Sequence, residues 1–186
     1  MKYIKTISRY SNSFLLGIII SFSLLSCSDK KEEEPKAENF ATAHVTIGNG
    51  IEFDFEGDNA TGISASETKL GIGFLDTKNG NYIYLAVQAP NGLKEASYSL
   101  QVKEAIEDGV TAYLTLDPDK ELFPESFDTK RDLDGDFWND GTGSITITSL
   151  KGNWVEGTFS AVAYSESGDE ARITDGKFKA EVKYKF

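Results

Sequence analysis

From Ala41 to the C-terminus, apolar residues recur at every second position rather than at helical spacing. The alternation is clear in Tyr82–Gln88, where isoleucine, leucine and valine fall on one side of an extended segment, and again where threonines alternate with Ile145 and Ile147. Period-two patterning is typical of half-buried β-strands, and no stretch keeps a helical period over three turns. We therefore expect residues 41–186 to form an all-β domain, either an antiparallel β-sandwich or a small closed barrel of about nine or ten strands.

Short segments rich in glycine and asparagine separate the alternating runs. Gly48-Asn49-Gly50, Asn79-Gly80 and Lys151-Gly152-Asn153 each lie between two predicted strands, and Asp175-Gly176 indicates a last turn. Asn79-Gly80 favours a type I′ hairpin, because that turn needs positive φ at both central residues. Asp117–Gly143 has no strand pattern, and a short helical turn is compatible with it.

The last predicted strand alternates apolar residues with charged ones. Between Lys177 and Phe186, every second residue is aromatic or apolar and the others are Lys or Glu. Lysines on an outer strand discourage pairing with a second sheet, so this pattern predicts an edge strand. Gly157, inside a neighbouring run, predicts a bend or the close approach of another strand.

The first 26 residues differ from the rest of the chain. Three basic residues precede the apolar run Phe14–Leu25, which is shorter than the roughly 20 residues that a spanning helix needs. Leu24-Leu25-Ser26-Cys27 follows at once, and this pattern resembles the lipobox of bacterial lipoproteins. The resemblance implies a signal peptide over residues 1–26, a lipid anchor on Cys27 as the first residue of the mature protein, and attachment to a membrane.

The segment behind the cysteine is highly charged, contains one proline and lacks aromatic residues up to Asn39. Such a segment has no core to bury, so residues 27–40 are predicted to be a disordered, lipidated tether. Its Lys30-Lys31-Glu32-Glu33-Glu34 resembles the acidic export signal of Bacteroidota surface lipoproteins. That resemblance implies an outer-membrane protein facing the cell exterior, and a protein facing the periplasm is the alternative.

Charge limits the partners of the mature chain. The sequence has 19 Lys and Arg against 30 Asp and Glu. Removing the three basic residues of the signal leaves 16 against 30, a net charge of −14. A surface this acidic repels nucleic acid, so we expect no nucleic-acid partner. Cys27 is the only cysteine, so packing rather than a disulfide must stabilise the domain.

Three segments near the C-terminus, Gly143–Thr148, Val155–Ser160 and Ile173–Phe178, are similar to a recurrent ending in small Bacteroidota lipoproteins. In those proteins a lipobox is joined to a compact β-domain of unassigned function. The resemblance covers the signal and the C-terminal part of the domain. It supports the β-fold and implies no activity.

One acidic segment has the pattern of a metal loop. Asp132, Asp134 and Asp136 alternate and Asp140 follows, and carboxylates spaced in this way converge on Ca²⁺ when a loop curls. The segment is similar to the calcium loops of EF-hand and dockerin proteins. It departs from the EF-hand because its twelfth position is Gly143 rather than an acid and because no helical period flanks it. A calcium site is therefore predicted, and a solvated acidic loop fits the same residues.

Two tryptophans and one histidine complete the candidate residues. Trp138 lies in the acidic loop and is a candidate for stacking on a sugar, whereas Trp154 begins a strand and is expected in the core. His44 is the only histidine, so a Ser–His–Asp triad or a multi-histidine zinc site lacks the residues that it needs.

These features favour binding over catalysis. We expect a surface-exposed lipoprotein whose non-enzymatic β-domain binds a glycan, a protein or an ion, or has a structural role. The alternatives are a small glycan-active hydrolase with two carboxylates, and a periplasmic accessory or inhibitor protein. A cleft with two carboxylates about 5–10 Å apart favours the hydrolase, and a face with clustered aromatic residues favours binding.

Overall fold

The structure is a computed structural model, and it describes residues 38–48, 50–101, 109–133 and 140–186. These residues form eleven strands and no helix. The strands are β1 (Phe40–Ile47), β2 (Ile51–Gly57), β3 (Asn59–Ala65), β4 (Lys69–Leu75), β5 (Tyr82–Gln88), β6 (Ser97–Ser99), β7 (Thr111–Asp117), β8 (Phe127–Asp128), β9 (Thr142–Lys151), β10 (Trp154–Tyr164) and β11 (Glu170–Glu181).

The strands form one antiparallel sheet that is nearly closed and barrel-like. Hydrogen bonds link them in the order β2-β1-β11-β10-β8-β7-β5-β4-β3, while β9 pairs with β10 and β6 pairs with β9. β2 and β3 stand at the two ends of this order, although only Asp58 separates them along the chain. The all-β antiparallel fold predicted from the alternation is confirmed, and of the two expected architectures the sheet is closer to the barrel.

The alternation of the sequence produces an apolar interior. In β5, Ile83, Leu85 and Val87 are buried in the core. Four phenylalanines from different parts of the sheet are fully buried: Phe55, Phe74, Phe127 and Phe178. Burying each such ring contributes about 1.5–3 kcal/mol, which is how packing stabilises a domain without a disulfide.

Asp175-Gly176 lies within β11 and does not end a strand, so the predicted last turn is wrong. Asp175 has a φ of 54°, and a Cβ on Gly176 would lie 2.6 Å from the ring of Phe159. The pairing register of β11 shifts at this point against both β1 and β10. This shift is characteristic of a β-bulge, so the two residues bend a continuous strand.

β11 is a central strand, and the predicted edge strand is wrong. It lies between β1 and β10 and ends at Glu181, so Val182–Phe186 is not part of it. Lys177 is exposed on its outer side, whereas Phe178 is buried on its inner side. The lysines therefore mark the side of the strand that faces water, and its place in the sheet depends on partners far away in the sequence.

The turn between β4 and β5 has the predicted position but a different conformation. Gly80 has a φ of 74°, whereas Asn79 has no positive φ, so the turn is not of type I′. The buried carboxylate of Asp76 holds the loop instead. It accepts hydrogen bonds from the backbone N–H groups of Lys78 and Asn79 at 3.0 and 3.2 Å.

Two strands carried no clear sequence signal. β3 is built mainly from small and polar residues and contains Gly62 at a φ of 60°. β8 has only two residues and lies inside the segment that lacked a strand pattern. The described part of that segment contains no helix. Gly157 behaves as predicted, because a Cβ there would lie 2.6 Å from the ring of Phe178.

Candidate functional site

Three tyrosines lie on the outer side of the sheet, where β5 and β7 are neighbours. Tyr82 and Tyr84 belong to β5 and Tyr113 to β7, and all three are half-buried. Each alternates with buried aliphatic residues that point into the barrel, so its own side chain faces outward. We call the surface formed by these three residues the tyrosine face.

Gly71 and Gly73 of β4 lie beneath the ends of two of these rings. A Cβ on Gly73 would overlap the hydroxyl of Tyr82 and lie 2.6 Å from its Cζ atom. A Cβ on Gly71 would lie 3.3 Å from the Cζ atom of Tyr84. The two tyrosines therefore lean across β4 and lie along the sheet, and the glycines leave the space for them.

Tyr84 and Tyr113 form an aromatic pair, with ring centroids 5.9 Å apart and planes tilted by 42°. Lys130, which follows β8, places its Nζ atom 3.8 Å from the centroid of Tyr113. This distance is that of a cation–π contact. Burial, with a further contribution from Tyr113, raises the pKa of the Tyr84 hydroxyl above its ordinary value.

A shallow groove of about 150 Å³ lies along this face. Its lining includes Ser64, Lys69, Gly71, Tyr84, Gln88, Thr111 and Tyr113. Within the described ranges, Lys69 is the only charged residue of the lining, and no carboxylate contributes to it. The groove thus combines aromatic rings with hydroxyl, amide and ammonium groups, which suits a ligand with many hydroxyl groups.

Two carboxylates on β7 and β8 are bonded to neighbouring groups. In β8, Asp128 Oδ1 accepts a hydrogen bond from the backbone N–H of Lys130 at 2.7 Å. At the end of β7, the Asp117 carboxylate accepts from the ammonium of Lys120 and from the hydroxyl of Ser126. These acids hold the ends of β7 and β8 in place and do not line the groove.

The predicted calcium loop is described only at its two ends. Asp132 and Asp140 are half-buried, and Asp140 closes the base of the loop. Its backbone N–H donates to the carbonyl of Arg131 at 2.7 Å, and its Oδ2 accepts from the backbone N–H of Leu133 at 2.6 Å. Among the described residues, no three His, Cys, Asp or Glu side chains are grouped to hold a metal.

The remaining predicted site residues lie outside the described part of the chain: Cys27, Asp134, Asp136 and Trp138. The lipid anchor, the calcium site and the sugar contact of Trp138 therefore stay predictions.

Trp154 and His44 both contact charged side chains. Trp154 is half-buried rather than in the core, and the Nζ atom of Lys179 lies 5.2 Å from its ring. The same Nζ atom lies 2.7 Å from the carboxylate of Glu156. His44 lies 3.0 Å from the carboxylate of Asp54 on the paired strand, and this hydrogen bond raises the pKa of the imidazole.

Two exposed carboxylates hold loops together. Asp58 accepts a hydrogen bond from the hydroxyl of Thr77 at 2.6 Å. Glu125 accepts from the backbone N–H and the hydroxyl of Ser167 at 3.0 and 2.9 Å. These bonds lower the pKa of both carboxyl groups. The general acid of a glycoside hydrolase needs the opposite, a raised pKa.

Comparison with known proteins adds no family to this description. No protein-family model, curated protein or solved structure matches the chain. Among the residues that the structure describes, there is no helix with the length and apolar character needed to cross a bilayer. The candidate site therefore rests on its geometry.

The sequence did contain a signal for part of the tyrosine face. The pattern Gly71-x-Gly73 in one strand is followed, across one turn, by Tyr82-x-Tyr84 in the next. Glycines that share an outer side with aromatic residues of the neighbouring strand indicate rings that cover the glycines. The third ring, Tyr113, has no such local signal because the segment between β5 and β7 is long.

Proposed function

We propose that this chain is a membrane-anchored lipoprotein of the outer membrane, facing the cell exterior, and that its β-domain is a non-enzymatic carbohydrate-binding module. The lipobox at Cys27 supports the anchor, and the acidic tether behind it supports the outward orientation. The tyrosine face is the proposed binding surface.

The observation that carries this proposal is the set of three half-buried tyrosine rings, two of which lie over glycines. One side of a pyranose ring presents C–H groups, which stack on the electron-rich face of an aromatic ring. Because Gly71 and Gly73 fix where two of the rings lie, little side-chain freedom is lost when a sugar binds. Gln88 and Thr111, beside the rings, can bond to sugar hydroxyls.

The distribution of carboxylates supports binding rather than hydrolysis. A glycoside hydrolase needs two carboxylates on either side of the scissile bond. Among the residues that the structure describes, none lines the groove on the tyrosine face. Asp117 and Asp128, on the strands β7 and β8, are bonded to neighbouring groups.

Retention of the purified protein on a panel of immobilised polysaccharides tests the proposal. We expect at least one polysaccharide to retain the protein, and Tyr84→Ala combined with Tyr113→Ala to weaken binding by about 2 kcal/mol or more, as for aromatic residues at the centre of an interface. Tyr84→Phe combined with Tyr113→Phe keeps the rings, so it is expected to bind nearly normally.

Tyr184→Ala is the matched control, because Tyr184 is a half-buried tyrosine that packs on Phe186 away from the tyrosine face. Its retention is expected to equal that of the wild type. Equal binding by the wild type and the double alanine variant, with both folded by melting curves, contradicts the assignment of the tyrosine face. Failure of every polysaccharide to retain the protein contradicts the proposed function itself.

A further inference from the structure

We infer that the ligand of the tyrosine face is an anionic saccharide, whose carboxylate or sulfate groups bind to Lys69 and Lys130. This inference rests on the proposed carbohydrate-binding function and narrows its ligand class. It follows from three observations: the position of the two lysines on either side of the Tyr84–Tyr113 pair, the lack of acids among the described residues that line the groove, and the charge of the rest of the domain.

In the strand order, the two lysines lie on either side of the strands that carry Tyr84 and Tyr113. Lys69 begins β4 and lines the groove directly. Lys130 follows β8, on the other side of β7, and its Nζ atom lies 3.8 Å from the ring centroid of Tyr113. Because β5 alone separates β4 from β7 in the sheet, these two strands are about 10 Å apart. A bound saccharide that stacks on Tyr84 therefore has a cationic group on either side.

Neither ammonium group has an acidic partner among the residues that the structure describes. Some other lysines of the domain do pair with an acid, for example Lys78 with Glu56 at 3.1 Å and Lys179 with Glu156 at 2.7 Å. Lys69 and Lys130 have no comparable ion pair within the described ranges. A positive charge without a partner is available to an anion that arrives with a ligand.

The acidic surface around the groove makes the two lysines a selective site for an anionic ligand. The mature chain has 30 acidic against 16 basic residues, a net charge of −14. An anionic polymer is repelled by such a surface as a whole, so it needs a local region without acids. The groove is such a region, because Lys69 is the only charged residue among the described residues that line it. A neutral sugar would need no lysine, and a small free anion would need no aromatic rings.

Calorimetric titration of the purified protein with oligogalacturonate, and with its methyl ester, tests this inference. The ester keeps the sugar ring and removes the negative charge. Heparin-type oligosaccharides and their desulfated forms, which keep the carboxylates, form a second pair that distinguishes sulfate from carboxylate. We expect the more highly charged member of one pair to bind more tightly than its match, and its binding to weaken as salt increases. Lys69→Gln and Lys130→Gln are each expected to weaken its binding about twofold to fivefold.

Lys151→Gln, in the turn between β9 and β10, is the control and is expected to change nothing. Equal affinity for the two members of each pair overturns the inference, as does unchanged affinity in the Lys69→Gln Lys130→Gln double variant. In those cases, loss of binding in the Tyr84→Ala Tyr113→Ala variant still supports carbohydrate binding. Binding that none of these substitutions alters, or no binding at all, overturns both.

Discussion

Tyr82 lies over Gly73 so closely that a methyl group on the glycine would come within 2.6 Å of the Cζ atom of the tyrosine. The two residues belong to adjacent strands, and both are on the outer side of the sheet. The ring covers a strand that would otherwise expose its backbone, and the glycine holds the ring along the sheet. The tyrosine face is therefore a property of two strands and not of the aromatic residues alone.

Gly73→Ala is expected to displace Tyr82 and to lower the free energy of unfolding by about 1–3 kcal/mol, the usual cost of overpacking. Urea denaturation measures the change. Tyr82→Ala removes the overlapping ring, so in the double variant the two effects are expected to be non-additive. Gly48→Ala is the control, because a Cβ there would have no contact closer than 3.5 Å. An additive double variant contradicts the contact.

Because His44 is the only histidine, titration of its imidazole reports on one ion pair alone, the pair with Asp54. The Asp54 hydrogen bond raises the pKa of His44, so the charged imidazole is favoured in the folded state. Its contribution to stability is fully present below the unfolded pKa of about 6.5 and is lost as pH rises through the raised folded value. Asp54→Asn is expected to lower the pKa of His44, measured by NMR titration, and Thr158→Ala is expected to leave it unchanged. A pKa that is insensitive to Asp54→Asn would refute the pair.

The hydrogen bonds of Glu125 give protein stability a pH dependence opposite to that from His44. The backbone N–H of Ser167 is the main cause of its lowered pKa, with help from the hydroxyls of Ser165 and Ser167. The stabilisation is therefore present above the ordinary pKa of Glu and is lost as pH falls through the lowered value. Glu125→Gln is expected to reduce stability at pH 7, and its difference from the wild type to shrink in acid. Denaturation curves between pH 7 and acid measure this difference in stability, with the exposed Glu121→Gln as the control. A difference between wild type and Glu125→Gln that does not depend on pH contradicts the prediction.

The acidic loop gives a metal-dependent prediction. If Asp132, Asp134, Asp136 and Asp140 bind calcium, the ion stabilises the folded protein by about 2.7 kcal/mol at a concentration a hundred times Kd. The melting midpoint is therefore expected to rise with calcium and to fall with a chelator. Asp134→Asn with Asp136→Asn is expected to remove the response, and Glu52→Gln to retain it. A melting midpoint that does not change with calcium would identify the segment as a solvated loop.

The lipid anchor has a direct biochemical test. Cys27→Ser is expected to abolish incorporation of labelled palmitate and to release the protein from membranes, whereas Ser28→Ala is expected to keep both properties. Protease added to intact cells is expected to remove the wild-type domain. Labelling that persists in the serine variant contradicts the anchor, and a protected domain places the protein on the periplasmic side.

The long strands could be predicted from the sequence because each carries its own evidence. Alternation within Tyr82–Gln88 already separates the buried residues from the outward ones, and a strand of this kind buries one side whatever its neighbours are. β8 could not be predicted, because Phe127 and Asp128 are too few to show a period. They form a strand only through pairing with β7 and β10.

Part of the candidate site could likewise be predicted from the sequence, and part could not. The outward positions of Tyr82 and Tyr84 follow from the alternation, but their grouping with Tyr113 depends on how β5 pairs with β7. Lys130 reaches Tyr113 only because β8 pairs with β7, which no local pattern indicates. Sequence analysis therefore favoured a tryptophan in the acidic loop for sugar binding, whereas the structure brings together tyrosines from the sheet.

The place of β11 between β1 and β10 has a consequence for how the protein folds. Asn39, just before β1, bonds to the backbone N–H of Glu181 across 142 residues of chain. The first strand to be synthesised thus completes its pairing only with the last one, and such distant contacts make folding slow. During synthesis, the β1–β2 hairpin remains unpaired on one side until the C-terminal strand is available. Aggregation or proteolysis before that moment is the hazard that this topology creates.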